Sequence, residues 1–584
     1  MDKKSWIIIL ICALLIFLWG PLVKHLWPPR PAPLPLSPSV ANSGPQISQA
    51  PALSPVSSTP PAPLQLNYQQ ARTLATLENN EVKLDIVAEG AGIRQVTLKK
   101  HRASGDKRVT LNTWGEGPIL QLWDGSSAPD LNPASLLTSS SNQVTLETEL
   151  QPGLKLRKEV ILKEDYSSTI RLNFFNLTPH TLSFSNYYLN CGTAAPIHNE
   201  DLPLYIGWDW FDGKNSSHEK ITAFQKGGFL FFTFRQPRSI IKIAHPLQWL
   251  TSRNQFFVTL LETEGHSFQG YCAEEKIIPK FQPQSAKVHK GAQIWGLLPN
   301  FEIPASGEKS LILQLYTGPR KYERLKKLGN QKQLVMDFGF WSWVSVPLLK
   351  TMNFLYGFVH NYGVAIILLV LLIRGIFWPL QAKANRTMKQ MQVLAPKLKE
   401  LQEKYKDQPQ KIQIEMMGMY RAYGINPVGG CLPMLVQIPV FFGFYAMLQS
   451  AIELRNAPFL WISDLSQPDT VAHIFGFPFN PLPLVMGATS IWQSNIMPNA
   501  GMDKAQATLM KFMPLMFVVF CYNFSSALAL YWTMQNLVGV YQTYHNLAKP
   551  APELEKKNRP KSRWQAMMEI AKQQAEIQKR NRKN

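Results

Sequence analysis

Cysteine is scarce in this chain: five of its 584 residues are cysteines, and none stands at a spacing typical of a metal site. The motifs of the familiar hydrolase and nucleotide-binding sites are also missing, since the sequence has no G-x-S-x-G, no H-E-x-x-H and no P-loop. We therefore expect neither an enzyme nor a bound cofactor or metal.

Acidic residues are fewer than basic residues in this chain. The chain has 39 Asp and Glu against 60 Lys and Arg, and a formal net charge of +21. Much of the basic excess flanks apolar runs, which is the positive-inside pattern of membrane proteins rather than the patch of a soluble nucleic-acid-binding protein. The charge favours anionic lipid headgroups, or ribosomal RNA near a membrane, as partners.

The first 64 residues predict a membrane anchor and a tether. Lys3 and Lys4 precede an apolar run at residues 6–23, which is followed by no small-residue cleavage site. This pattern favours an uncleaved transmembrane anchor at residues 1–27 over a cleaved signal peptide. Residues 28–64 contain 12 prolines, too many for a packed core, and predict an extended periplasmic linker.

Residues 65–325 alternate apolar and polar side chains over short stretches separated by Gly and Pro, for example at 144–150 and 154–162. Such alternation predicts half-buried strands. Many strands without helices between them predict an all-β sandwich domain, which the topology below places in the periplasm.

Two features of this domain leave alternatives open. Cys191 and Cys272 are its two cysteines, and their separation of 81 residues neither requires nor excludes a disulfide. The aromatic residues Trp208, Trp210 and Phe211 suit the core of a sandwich, or a surface that grips a sugar or a peptide.

The long apolar runs lie after residue 325. We predict membrane spans at five of them, residues 362–380, 428–452, 475–497, 505–524 and 525–544. With the N-terminal anchor this gives six transmembrane helices and places both termini in the cytoplasm. Within the linker at residues 326–360, the run 338–359 is predicted to be an interfacial amphipathic helix, because a further crossing would place the basic segment after it outside.

The charges of the loops agree with this topology. Residues 453–474 contain one Lys or Arg and are placed outside. The tail at residues 548–584 contains 11 Lys and Arg against four acidic residues and is placed inside.

Residues 381–424 predict a cytoplasmic helical hairpin. They contain nine Lys and Arg against four acidic residues, and apolar residues recur at helical spacing on both sides of a break at 407–409. Its apolar stripe includes Met388, Met391, Met416 and Met417. A flexible methionine surface suits varied partners, but the same stripe would serve equally to pack the two helices together.

Arg374 interrupts the apolar run 362–380, about 9 Å from its cytoplasmic end at about 1.5 Å per residue. Such an arginine can snorkel to the inner headgroups, or it can form a cationic site in a hydrated cavity. Polar residues in the other predicted spans favour the cavity; they are Gln437, Ser490, Gln493, Asn523, Thr533, Gln535 and Asn536.

Several segments resemble the YidC family. They are Ile373-Arg374-Gly375 with Trp378-Pro379, residues 413–417, residues 426–433 and Gln437-Ile438-Pro439. The similarity extends with few gaps from about residue 335 to 547. It implies a polytopic α-helical membrane protein in which five core helices, at residues 361–547, enclose a hydrophilic groove. The linker and the middle domain look like the periplasmic region of Gram-negative members.

The resemblance also implies a function. Members are membrane protein insertases and chaperones of the bacterial inner membrane, acting on nascent membrane proteins alone or with the Sec translocon. Arg374 looks like the groove arginine, and the basic tail and the hairpin look like ribosome and client contacts. The groove residues we predict are Arg374, Gln437, Gln493, Trp532, Gln535 and Asn536. Val370 and Trp532 depart from the residues common in the family.

Two other interpretations stay open at this point. A secondary transporter would also use charge inside the membrane, but transporters usually contain internal repeats and we find none. A periplasmic binding or assembly factor would make the β domain the active part.

Overall fold

The computed structural model describes residues 71–550, apart from 104–106, 114–116, 126–132, 199–200, 230–231, 279–288, 407, 427, 497–503 and 549. The predicted anchor at 1–27, the linker at 28–64 and nearly all of the tail at 548–584 lie outside the described residues. The chain divides into two compact units, and the main division falls between Asp337 and Phe338. We call them the β unit and the helical unit.

Over its described residues, the β unit is built from antiparallel strands, short 3-10 helices and one short α-helix, α1 (Tyr322–Lys327). The strands that the structure describes are β1 (Thr73–Glu78), β2 (Val82–Val87), β3 (Gly92–Arg102), β4 (Arg108–Leu111), β5 (Leu122–Trp123), β6 (Ser135–Ser139), β7 (Gln143–Gln151), β8 (Leu154–Leu162), β9 (Ser167–Asn176), β10 (Leu182–Phe184), β11 (Tyr188–Ala194), β12 (Gly207–Phe211), β13 (Ser216–Lys220), β14 (Gly227–Phe229), β15 (Phe232–Arg235), β16 (Ile240–Ile243), β17 (Trp249–Arg253), β18 (Phe257–Thr263), β19 (Gly270–Ile278), β20 (His289–Leu297), β21 (Phe301–Ile303) and β22 (Glu308–Pro319).

Two sheets of this unit form a sandwich. The larger has the strand order β13-β12-β17-β18-β22-β9-β8-β7-β6, and the smaller has the order β16-β19-β20-β11-β5. The sheets meet where the hydroxyl of Ser252 on β17 donates to the carbonyl of Cys191 on β11 at 3.1 Å. The Cys191 thiol in turn lies 3.5 Å from the carbonyl oxygen of Leu250 on β17. The predicted β-sandwich is therefore confirmed.

Strand β8 shows why the alternation in the sequence produces this fold. Every second residue of Leu154–Leu162 is buried, beginning with Leu154. One of these inward positions is occupied by Lys158, which is 2% exposed. Its ammonium group donates to three backbone carbonyls, those of Gly90, Ala91 and Leu120, at 3.3, 2.9 and 2.6 Å. These bonds replace the water that the charge would otherwise require.

The tryptophan cluster belongs to the core. Trp208 is completely buried, and its ring centroid lies 5.4 Å from that of Phe224. Phe211 is 2% exposed and stacks on Trp249 at 5.5 Å. Of the two interpretations from the sequence, core packing is the one that the structure supports for Trp208 and Phe211, whereas Trp210 is partly buried.

Cys191 and Cys272 are both buried free thiols. They lie on β11 and β19, which flank β20 on its two sides. Strands two apart in a sheet are separated by roughly 10 Å, beyond the reach of a disulfide. Burial raises the pKa of the Cys191 thiol to about 12 and that of Cys272 to about 11.

A buried ionic cluster joins β12, β13 and β17. Asp209 is fully buried, and Arg253 Nε donates to both of its carboxylate oxygens at 2.8 Å. His218 Nδ1 lies 2.8 Å from Asp209 Oδ1. Arg253 also donates to Asp337 Oδ2 at 3.4 Å, so the cluster holds the last residue of the β unit.

The cluster shifts the pKa values of its members in opposite directions. Burial alone would raise the pKa of Asp209, but the charge of Arg253 and the hydrogen bond from His218 lower it far below its usual range. Burial alone would lower the pKa of His218, but its hydrogen bond to Asp209 and the charge of that carboxylate raise it. The ionised forms of both groups therefore stabilise the fold.

The helical unit contains α2 (Ser342–Val359), α3 (Tyr362–Ile376), α4 (Trp378–Lys404), α5 (Pro409–Ala422), α6 (Val428–Ser450), α7 (Pro481–Ile496), α8 (Lys504–Cys521) and α9 (Ser526–Ala548), with a hairpin of β23 (Ala472–Ile474) and β24 (Phe477–Phe479) between α6 and α7. Among the described helices, none alone has the length and apolarity of a membrane span. The pair α3 and α4 has them together, with a bend of 61° between its members. The count of six spans stays a prediction.

Helix α3 ends at Ile376, four residues before the predicted end of its span. The reason lies in Pro379, whose ring in a continuous helix would clash with the carbonyl of Gly375 and which has no N–H to donate. Pro379 instead occupies the first turn of α4, where a missing N–H costs nothing. Arg374 consequently lies in the last turn of α3. The straight helix from which the distance of about 9 Å to the cytoplasmic end of the span was calculated is not formed, and the position of that end stays a prediction.

The prediction of a helix over residues 475–497 is wrong at its start. Residues 472–479 form the hairpin of β23 and β24, and α7 begins only at Pro481. Phe475 and Gly476 adopt positive φ angles of 51° and 82° and make the turn. The average hydropathy of a short run does not distinguish such a hairpin from a helix, because both can be built from the same apolar residue types.

Helix α2 begins at Ser342, four residues later than predicted, and packs on α6. The Ser345 hydroxyl donates to the carbonyl of Gly443 at 2.9 Å. A Cβ at Gly443 would lie 2.6 Å from Val344, so only glycine permits this approach.

The predicted helical hairpin at residues 381–424 is formed by α4 from residue 381 onward and by α5. The two helices are interrupted between Lys404 and Pro409, where the sequence predicts the break. Leu394 and Leu398 on α4 pack against Tyr420 and Ile425 in a buried cluster. Much of the apolar stripe therefore packs the two helices together.

Loss of the Arg253 charge should destabilise the β unit strongly. Arg253→Ala leaves the buried Asp209 without its charge partner, and we expect the free energy of unfolding to fall by about 3–5 kcal/mol. Exposure of the Cys191 thiol to a maleimide dye on heating the full-length protein in detergent measures this. The control Arg171→Ala removes a half-exposed pair with Glu159 and should cost less than about 1 kcal/mol. Equal losses would contradict the prediction.

His218 should make the stability depend on pH. Since its folded pKa is raised, its contribution is complete below the unfolded pKa of about 6.5 and is lost as pH rises through the folded value. We expect His218→Gln to be less stable than the parent protein at acidic pH and the difference to shrink as pH rises. Near-ultraviolet circular dichroism on heating at several pH values tests this. A difference that grows with pH would refute it.

Candidate functional site

Helix α9 supplies most of the candidate site. Tyr531, Gln535 and Gln542 follow one another at spacings of four and seven residues, which puts them on one face of a helix. All three are buried. The face they form is polar, so it is a place where a polar group from a neighbouring helix can be accommodated.

Arg374 of α3 occupies this place. Its Nε donates to Gln535 Oε1, and its Nη2 donates to the backbone carbonyl of Gln535 at 2.9 Å. Its Nη1 donates to Gln542 Oε1 at 3.3 Å. Gln542 Nε2 donates back to the carbonyl of Arg374 at 3.4 Å. Across the described residues, the hydrogen-bond partners of this guanidinium are neutral amides.

A chain of hydrogen bonds extends the site to α6. Gln535 Nε2 donates to the hydroxyl of Tyr531 at 3.0 Å, and Gln437 Nε2 of α6 donates to the same hydroxyl at 3.1 Å. The ring of Tyr531 stacks on Phe444 of α6 with centroids 4.1 Å apart. The predicted residues Arg374, Gln437 and Gln535 are therefore brought together by these contacts.

A small cavity adjoins Arg374. Its volume is about 20 Å³, which is room for about one water molecule. The residues that border it are Ile373, Arg374, Phe377, Leu380, Gln381, Pro433, Val436, Gln437 and Gln542. Both charged and apolar groups line it, so a polar group placed there would contact the guanidinium and the α6 side chains at once.

Gly539 permits the close approach of α3 and α7 to α9. A Cβ at this position would lie 3.4 Å from Arg374 Nη2 and 2.5 Å from the amide nitrogen of Gln493. Gln493, a predicted site residue on α7, thus lies beside the same stretch of α9 as Arg374.

Two other predicted residues, Asn536 and Trp532, contact side chains other than Arg374 and Tyr531. Asn536 Nδ2 donates to Ser490 Oγ at 2.7 Å and to Thr489 Oγ1 at 3.1 Å, which ties α9 to α7. The ring of Trp532 lies 4.3 Å from that of Phe517 on α8 and 5.0 Å from that of Phe441 on α6.

The sequence missed two members of the site, Tyr531 and Gln542. Tyr531 is adjacent in sequence to the predicted Trp532, but it is the Tyr531 hydroxyl that accepts hydrogen bonds from Gln437 and Gln535. Gln542 lies seven residues after Gln535 and so on the same helical face, and this spacing could have identified it.

The predicted methionine contacts of the hairpin separate into two groups. Met391 and Met416 pack against the cluster of Leu394 and Leu398. Met417 is exposed, and Met388 is partly buried. Met417 is therefore the predicted methionine most open to a partner.

Comparisons with known proteins agree over nearly the whole chain. The family described as 60Kd inner membrane protein matches residues 354–550, and the family described as YidC periplasmic domain matches residues 74–351. A relative named membrane protein insertase YidC from Syntrophobacter fumaroxidans is 32% identical over 496 residues, which are 80% of this chain and 85% of the relative. The chain belongs to the YidC family of membrane protein insertases.

A second YidC relative, from Syntrophus aciditrophicus, is 30% identical over 93% of this chain and 99% of its own. A third, from Geobacter metallireducens, is 29% identical over 95% of this chain and its full length. The β unit is thus a YidC periplasmic domain, and the helical unit contains the part matched by an inner-membrane protein family. The relatives are named as insertases, which are not enzymes.

Removal of the Gln535 side chain should destabilise the helical unit through Arg374. In Gln535→Leu the guanidinium loses a principal acceptor, and we expect a loss of about 1–3 kcal/mol. In an Arg374→Met background the same substitution should cost less, because no charge is left unpaired.

The labelling of the buried Cys521 thiol on heating in detergent reports these stabilities. The exposed Gln392→Leu on α4 is a matched control that should leave the unfolding temperature unchanged. An equal cost of Gln535→Leu with and without Arg374 would show that the two side chains are not coupled.

Proposed function

We propose that this chain inserts integral membrane proteins into the inner membrane and helps them fold and assemble, alone or together with the Sec translocon. The observation that carries the proposal is the Arg374 guanidinium, which lies within the helical unit with only neutral amide partners among the described residues. A permanent positive charge without a carboxylate partner is a site for a negative or strongly polar group.

The topology that goes with this function has six membrane crossings. Both termini and the hairpin at residues 381–424 lie in the cytoplasm, and the β unit lies outside. Nine basic residues in the hairpin and 11 in the tail support the cytoplasmic assignment. The tail and the hairpin hold the ribosome and the emerging client near the groove.

Arg374 receives the polar tail of a client. A carboxylate accepts two hydrogen bonds from a guanidinium side by side, and this pair is stronger than a bond to a neutral amide. The client therefore displaces Gln542, whose contact of 3.3 Å is the longest of the three. Gln437, Gln535 and Tyr531 then bind further polar groups of the tail, while Gln493, Asn536 and Trp532 form the neighbouring wall of the groove.

The polar site lowers the barrier to translocation. A charge at the centre of a bilayer costs roughly 3 kcal/mol or more, and the groove removes part of this cost. The client's apolar segment enters the bilayer along the neighbouring helices through the hydrophobic effect. For a negative tail moving outward, the membrane potential contributes about 2.3 kcal/mol per charge per 100 mV. No step requires nucleotide hydrolysis.

Insertion should depend on the charge of Arg374. In proteoliposomes that contain only this protein, we expect Arg374→Ala to reduce insertion of a short coat-protein-like client with an acidic tail by roughly tenfold, equivalent to about 1.4 kcal/mol. Protease protection of the tail measures insertion. Arg374→Lys should retain part of the activity, and Arg171→Ala in the β unit should retain all of it.

The client supplies the second arm of the test. A client whose acidic tail residues are changed to Asn and Gln should lose its sensitivity to Arg374→Ala. Full insertion of the acidic client by Arg374→Ala would refute charge attraction. Ion-dependent uptake of a small solute in the same vesicles would favour a transporter instead.

A further inference from the structure

The hairpin between α6 and α7 exposes an apolar tip. Its strands pair Ala472 with Phe479 and Ile474 with Phe477. Phe475, at the turn, is 99% exposed and Phe477 is 76% exposed. Leu460, earlier in the same loop, is also 76% exposed. So much large apolar surface in one connection between helices is unusual for a surface that faces water alone.

The base of the hairpin is fixed to the helices that follow it. Asn480 is completely buried, and its amide donates to the carbonyl of Tyr522 at 2.8 Å. The Tyr522 hydroxyl donates to the carbonyl of Pro478 at 2.8 Å. Asp469 accepts a hydrogen bond from the backbone N–H of Leu482, in the first turn of α7, at 2.7 Å. The tip is therefore held in place by bonds at its base.

Asp469, at the base of the hairpin, also orients Trp461 of the same loop. Trp461 is 50% exposed, and its indole N–H donates to Asp469 at 3.2 Å. A tryptophan with a satisfied N–H and an exposed ring is typical of the boundary between water and lipid.

The composition of the region points to lipid as the partner. No Asp, Glu, Lys or Arg occurs from Thr470 to Met502, so the tip has no formal charge with which to attract a charged partner. Leu484 and Val485, in the first two turns of α7, are exposed apolar residues as well. That helix lies within residues 354–550, the part matched by an inner-membrane protein family.

We propose that the Ile474–Phe477 tip of this hairpin is embedded in the outer leaflet of the inner membrane, at the boundary between headgroups and acyl chains. The inference rests on the proposed topology, which places residues 453–474 outside, and on the start of α7 at Pro481, which leaves the whole hairpin before the helix. Phe475 and Phe477 contact acyl chains, and Trp461 lies at the headgroup level. The hairpin thereby fixes the outer end of α7 relative to the lipid surface.

Site-directed spin labelling tests the depth of the tip. Phe475→Cys and the control Ser463→Cys, an exposed polar position of the same loop, are labelled with a nitroxide in a chain whose native cysteines are replaced by serine. In proteoliposomes, we expect the label at 475 to be relaxed by oxygen more than by a water-soluble nickel complex, and the label at 463 to show the reverse. Water-like accessibility at 475 would overturn the proposal.

Two further measurements separate the alternatives. If the label at 475 is water-accessible in proteoliposomes but protected in native membrane vesicles, the tip binds a protein and the lipid proposal fails. Reduction of both labels by an impermeant reductant from the cytoplasmic side would refute the topology. Client insertion is measured on the same vesicles, so a buried tip without insertion would refute the proposed function and leave this inference intact.

Discussion

The helical unit is organised around the need of one guanidinium for hydrogen-bond acceptors. Arginine stays charged at any physiological pH, and a charge removed from water requires partners. Arg374 finds them in a side chain and a backbone carbonyl of α9. This requires α3 and α9 to lie close together, which Gly539 allows because it has no side chain. Tyr531 and Gln437 extend the same network to α6.

Arg253 and Arg374 differ in a way that matches their roles. Arg253 in the β unit is paired with the carboxylate of Asp209, so its charge is neutralised within the fold and is available to nothing else. Arg374 is held only by neutral groups among the residues described, and its charge stays uncompensated. The first arrangement suits a structural role, and the second suits recognition of a negative or polar partner.

The sequence predicted the β-sandwich well, because side chains in β8 and its neighbours alternate with the period of a half-buried strand. Three of the groove residues that it predicted, Arg374, Gln437 and Gln535, lie in one hydrogen-bond network, since polar residues in apolar runs are rare and conspicuous. The prediction from the sequence failed in stretches that are apolar throughout. The hairpin at residues 472–479 and the bend after Ile376 depend on positive φ angles and on Pro379, which hydropathy does not register. Gln542 carries no charge and belongs to none of the motifs, so only its spacing of seven residues from Gln535 places it on the same face of α9.

The cysteines of the β unit have a consequence for how this domain matures. Cys191 and Cys272 are buried, unpaired and held as protonated thiols by their raised pKa values. A periplasmic domain with these features needs no oxidant to reach its native state, and thiol–disulfide exchange enzymes find no nucleophile on it. An insertase that serves other membrane proteins can thus complete its own largest domain independently of the redox state of the compartment.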